Sequence, residues 1–322
     1  MAFKKLKRWG KIPEKMNRRK PRLWAFKLGF LLLITLMGHS TSWGNERVRV
    51  VTTIPILKNI VQEIGGENVS VKSLLRGVES PHTYGPKPSD LTALQKTQLF
   101  IQIGAGLEGW VEGFIKNAQH ENLLTVTTSQ GVALLEDSEP QREKSDHTHF
   151  RNPHIWLDPR NVKLMAEHIS KALIQVAPGK KNTFIQNQHL FFKKLDVLEM
   201  EIHHLFEGIP NRKIISYHPA WPYFAHRFGI TISGEIQGQI GTEPSAKQLA
   251  SLVKTIKEQN IRVIVSEPQL NPKIPRTLAQ ETGAQLVTLT VLPGAIPGTD
   301  DYFSMMRYNA ATLAEALREK SF

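Results

Sequence analysis

Val48-Arg49-Val50-Val51-Thr52-Thr53 is followed by an apolar-periodic stretch at 55–64, by Gly65-Gly66, and by Val69-Ser70-Val71-Lys72-Ser73-Leu74-Leu75. Two β-branched runs on either side of a helical pattern that a glycine pair stops read as strand, helix, strand. The alternation continues, with helices at 90–96, where Ser89 is the expected cap, and at 110–118. Strands fall at 99–103 and 123–126. That pace belongs to a parallel α/β sheet.

Downstream, Asp158-Pro159 opens a helix at 159–176, with aspartate as N-cap and proline in the first turn. Pro178-Gly179 stops it, and a longer helical stretch runs over 180–206, with Phe184, Leu190, Leu195, Leu198, Ile202 and Leu205 near a 3.6-residue period. At 1.5 Å per residue it is about 40 Å long, enough to run between two domains as a strut. After Gly208-Ile209-Pro210 the alternation resumes. Strands are expected at 213–217, 230–233, 262–265 and 285–289, and helices at 221–228, 245–259, 272–282 and from about 300 to 318. The expected fold is α/β: two Rossmann-like lobes at 45–179 and 207–322, each with a central sheet, joined by the single long helix 180–206.

The first 44 residues differ from the rest. They hold eleven of the 41 lysines and arginines but one of the 29 acidic residues, ahead of an apolar run at 28–37 and a polar stretch ending Ser42-Trp43-Gly44. This is the layout of a cleavable secretory signal, and about ten apolar residues are too few to span a bilayer. Without 1–44 the formal charge falls from +12 to +2. The basic character therefore belongs to the leader, which removes the main support for a nucleic-acid partner. There is no cysteine, so disulfides, thiolate metal sites, cysteine nucleophiles and a lipidated cysteine are excluded. The expected location is the periplasm.

Four residues stand at strand-to-helix loops, where ligands bind in open α/β sheets. His82 lies in the proline-rich loop after the second strand. His154, between Pro153 and Pro159, is kept out of helix. His218 directly follows the strand at 213–217. Asp300 opens the last helix, with Asp301 as a neighbouring rival and an N-cap as its plainer role. Three imidazoles and a carboxylate suit zinc, and four protein ligands leave no open position for a substrate water. A loop histidine is more often an ordinary polar residue, and His218 has a plain reading as a buried, hydrogen-bonded histidine. The charged loop at 136–150 ends in His147 and His149, either a weak metal-collecting flap or a solvated loop. His120, His168, His189, His203, His204 and His226 read as structural.

These motifs resemble the zinc and manganese receptors of ABC uptake systems, the cluster A-I substrate-binding proteins. Pro81-His82-Thr83-Tyr84, Asn152-Pro153-His154-Ile155-Trp156-Leu157-Asp158-Pro159, Tyr217-His218-Pro219-Ala220-Trp221 and Gly298-Thr299-Asp300-Asp301-Tyr302 match the family's four ligand loops in order. The resemblance implies two lobes on a rigid helix with the metal in the cleft between them. It implies His82, His154, His218 and Asp300 as ligands, a membrane permease as partner, a monomer, and no enzymatic activity. Histidine at the third position goes with zinc, a carboxylate there with manganese. Gly85 departs from a common glutamate, and the histidine-rich loop is reduced to His147 and His149. The alternatives are a manganese or iron receptor and, from other classes, a secreted zinc hydrolase or a metal-binding adhesin.

Overall fold

The computed structural model describes residues 46–136, 151–237 and 243–318. The leader, His147 and His149 lie outside them. Four strands, β1 (Val48–Thr52), β2 (Val69–Ser73), β3 (Leu99–Gln102) and β4 (Leu124–Thr127), form one sheet. Its order is β2-β1-β3-β4, parallel throughout. A second set, β5 (Lys213–Ser216), β6 (Thr231–Glu235), β7 (Val263–Ser266) and β8 (Gln285–Thr288), repeats the order as β6-β5-β7-β8. Each sheet reverses its strand order between its first and third strands, which places a crevice at their carboxyl ends.

The helices follow from local chemistry. Pro55 opens α1 (Pro55–Gly65) at its first turn, and Gly66 closes it at φ +54°, a left-handed conformation that glycine adopts without a Cβ clash. The helix expected behind Ser89 starts earlier. Pro88 takes the first position of α2 (Pro88–Gln95), and Asp90 reaches back to accept the Lys87 N–H at 3.0 Å, so the cap comes from the third position rather than from Ser89. Helix α3 is Val111–Ala118, and α4 is Pro159–Val176. Asp158 caps α4, its Oδ1 accepting the Arg160 N–H at 2.8 Å.

The strut is α5 (Lys181–Phe206), whose 26 residues span about 39 Å. Its buried stripe is Phe184, Phe191, Leu195, Leu198, Ile202 and Phe206. Leu190 is 50% exposed and Leu205 only half-buried, against the sequence expectation. From Phe184 a step of seven residues nearly closes two turns and lands on Phe191, while Leu190 lies about 100° away from it. The second half adds α6 (Pro222–Phe228), α7 (Ala246–Glu258), α8 (Lys273–Thr282) and α9 (Tyr302–Arg318). No helix among the described residues is long and apolar enough to cross a membrane.

One apolar core runs through both halves, from Val50 and Phe100 through Trp156 and the stripe of α5 to Trp221, Val291 and Leu313. A smaller one, around Ile215, Leu252, Ile264 and Leu278, serves the second sheet alone. Polar bonds tie the halves together. Trp156 Nε1 donates to the Val291 carbonyl at 2.7 Å, and Tyr302 Oη donates to the Trp156 carbonyl at 3.0 Å. Arg227 on α6 binds both oxygens of Asp158, at 2.8 and 2.6 Å. Arg160 binds Glu199 of the strut at 3.0 Å.

Asp158 thus caps one helix and pairs with another. Asp158→Ala should cost about 3 kcal/mol, since it removes the cap and leaves the mostly buried Arg227 guanidinium only the longer 3.9 Å approach to Glu199. Asp158→Asn should cost less, because asparagine caps equally well. Urea denaturation of both variants checks the order.

Candidate metal centre

Each imidazole is presented by a segment with its own restraint. His82 sits in the loop between β2 and α2. Trp110 Nε1 donates to the Pro81 carbonyl at 2.9 Å, and the Tyr84 and Trp110 rings pack at 5.2 Å. Tyr84 Oη donates to Asp90 at 2.7 Å. The flanking prolines and these three contacts define the loop.

His154 is buried and precedes a short 3₁₀ turn, Ile155–Leu157, which the sequence reading had missed. Asn152, fully buried, aligns it: Oδ1 accepts the His154 backbone N–H and faces ring Nδ1, both at 3.0 Å. Asn152 Nδ2 donates to the Pro219 carbonyl, which sets the amide orientation. Nδ1 is therefore the protonated nitrogen, and Nε2 keeps its lone pair.

His218 is buried two residues past the end of β5. Its Nδ1 lies 2.7 Å from Glu267 Oε1, in a direction poorly aligned for a hydrogen bond. With Nδ1 turned to Glu267, Nε2 is the nitrogen left for the other two rings. Glu267 was not found from the sequence. Its signal was position, one residue past β7 on the other side of the sheet's switch point.

The three rings meet. His82 Nε2 and His154 Nε2 are 3.3 Å apart, and ring centroids are 5.2 Å apart for His82–His154 and for His154–His218. One ligand atom from each of the three lies within 4.8 Å of the others. Tetrahedral zinc with bonds of about 2.0–2.1 Å holds its nitrogens about 3.4 Å apart, so the spacing suits that ion. Burial lowers the His82 pKa to about 4, with the His218 charge adding to it. Burial likewise holds His154 well below the usual imidazole range, helped by His218 and His82. Both rings are therefore neutral at physiological pH, the form that binds metal.

Asp300 is not in the cluster. It is exposed and borders a separate cavity of about 360 Å³ together with Pro55, Lys58, Lys72, Arg76 and Pro293. The cap of α9 is Asp301, whose Oδ1 accepts the Ser304 N–H at 2.8 Å. The preceding loop folds on itself through Gly294 N–H to Thr299 O and Thr299 N–H to Ile296 O, which sets where Asp300 emerges. On the first sheet's switch point the matching carboxylate is Glu108, buried and accepting from Thr53 Oγ1 at 2.7 Å and from the backbone of Ile103 and Gly104. Burial pushes its pKa up against these bonds, and it serves the loop after β3.

Two α/β lobes on a rigid helix, with a cluster of three imidazoles between them, two of them buried, define a bilobal metal receptor. The chain belongs to the family described as zinc-uptake complex component A, periplasmic, whose model matches residues 50–316. It is 28% identical over 307 residues to the high-affinity zinc uptake system protein ZnuA of Bacillus subtilis (strain 168), covering 90% of this chain and 95% of that one. To the manganese ABC transporter substrate-binding lipoprotein PsaA of Streptococcus anginosus it is 27% identical over 311 residues, covering 90% and 99%. A crystal structure of ZnuA superposes with a TM-score of 0.75 at 32% identity, covering 84% of this chain and all of that one.

Acid should destabilise the metal-free protein. Free histidine in the unfolded chain takes a proton near pH 6.5, while folded His82 resists to about 4. Between those values the unfolded state binds more protons, so stability falls as pH falls, and above the window the two rings contribute no slope. Urea midpoints across this range should show the slope, and His82→Gln should flatten it.

Proposed function

We propose that this chain is the extracytoplasmic zinc receptor of an ABC uptake system, binding Zn²⁺ between its lobes and passing it to a membrane permease. Receptors of this family bind and deliver and perform no covalent chemistry. The observation that carries the zinc assignment is the cluster of His82, His154 and His218, two of them buried and the first pair 3.3 Å apart at Nε2. Imidazole suits zinc, whereas manganese prefers oxygen ligands, and the third ring stands where manganese receptors are expected to carry a carboxylate. That same chemistry weighs against the manganese reading, which the resemblance to PsaA supports.

The proposed ligands are these three histidines. Asp300 would have to leave the rim of its own cavity to join them. The proposed division keeps residues 45–179 and 207–322 as the lobes and 180–206 as the connecting rod, with 1–44 as a cleaved secretory signal that delivers the protein to the periplasm. One chain supplies all three imidazoles, which supports a monomeric receptor.

Chelator-competition titration of the purified protein tests the reading. His82→Ala, His154→Ala and His218→Ala should each weaken Zn²⁺ binding by about 100-fold or more, and Asp300→Ala by less than about tenfold. An unchanged affinity in the triple histidine variant sinks the proposal. Mn²⁺ should bind far more weakly than Zn²⁺, and comparable affinity for the two would turn the assignment to manganese.

A further inference from the structure

Glu267 presents a contradiction that the histidine cluster resolves. Its side chain is 2% exposed. Among the described residues no lysine or arginine pairs with it; its side-chain partners are ring nitrogens on one oxygen, His218 Nδ1 at 2.7 Å and Trp221 Nε1 at 3.2 Å. A buried carboxylate with no cationic partner is costly unless a paired charge or a metal compensates it. The cluster supplies the counterpart. Three neutral imidazoles bring no negative charge to a dication, and Asp300 stands outside. His154 already has a neutral aligner in the Asn152 amide; His218 has a carboxylate.

We propose that Glu267 is the positioning residue for His218 and the buried counter-charge for the bound metal. It holds the imidazole with Nδ1–H toward Oε1 and Nε2 toward the ion. A metal-ligating histidine that donates its other N–H to a carboxylate becomes a more basic and better oriented ligand. The short but misaligned approach here needs only a rotation of the ring to become a charge-assisted hydrogen bond. Trp221 Nε1 anchors the same oxygen from the second lobe, so the carboxylate is fixed while the ring adjusts.

The inference rests on the zinc-receptor reading, and the wild-type titration separates the two: absence of Zn²⁺ binding in the wild type ends both. Given wild-type binding, Glu267→Gln keeps an acceptor for Trp221 but removes the charge. It should weaken Zn²⁺ by about 10- to 100-fold. It should also shift the visible d–d bands of the Co²⁺-substituted protein, and Glu267→Asp should restore part of both. A folded Glu267→Gln protein with unchanged affinity and unchanged Co²⁺ bands overturns the proposal. Should that variant fail to fold, ¹⁵N chemical shifts of His218 in the wild type decide. A proton on Nδ1 with Zn²⁺-shifted Nε2 is expected; the reverse assignment overturns it.

Discussion

The amide of Asn152 is the joint on which the site depends. It is fully buried and bonded on every side. Its Oδ1 aligns the backbone and ring of His154, its Nδ2 reaches the Pro219 carbonyl beside His218, and its own carbonyl accepts Tyr223 Oη at 2.9 Å. Tyr223 Oη in turn accepts the Leu135 N–H at 3.0 Å. Two imidazoles from opposite lobes are thereby referred to one planar group. A hydrogen-bonded amide at this depth has no solvent alternative, so loosening either lobe strands several buried polar atoms at once.

The lobes are correspondingly fixed. A continuous apolar core crosses between them, and tryptophan, tyrosine and arginine bonds close the seam at separate points. Across the seam, Gln269 Nε2 donates to the Gly77 carbonyl at 2.7 Å, and Gly77, at φ +106°, brings its Cα so close to the Pro293 carbonyl that a Cβ would lie 2.3 Å from it. Only glycine allows that approach. A receptor must nonetheless release its cargo. The packing that keeps His82 and His154 unprotonated also holds the seam closed, so delivery to a permease has to work against these contacts.

Much of the architecture was legible in the sequence because its signals are local. Helix α4 opens at Pro159 behind an Asp158 cap, as proline geometry and capping chemistry dictate, and the strut ends at Phe206 before Gly208. Elsewhere local signals misled. Ser89 looked like a cap, but Asp90 does that work. Leu190 looked like core, but the stripe passes through Phe191, because a helix buries whatever its neighbours face. In the site, three histidines in three proline-bearing loops could be named from their context. Glu267 could not, since nothing around it in the chain marks it apart from its place one residue after a strand.

By itself the sequence determined the alternating strands and helices, the two halves and their rod, and the three loops that hold histidines. These depend on side-chain periodicity, caps and prolines, whose energies act within a few residues. Only the tertiary structure decided that His82, His154 and His218 converge, that Asn152 faces one ring and Glu267 another, and that Asp300 emerges over another cavity. Those outcomes depend on how two sheets are set against each other across a shared core. His82 and His218, 136 positions apart in the chain, bring ligand nitrogens within 4.8 Å of each other there, and no pattern along the chain encodes that distance.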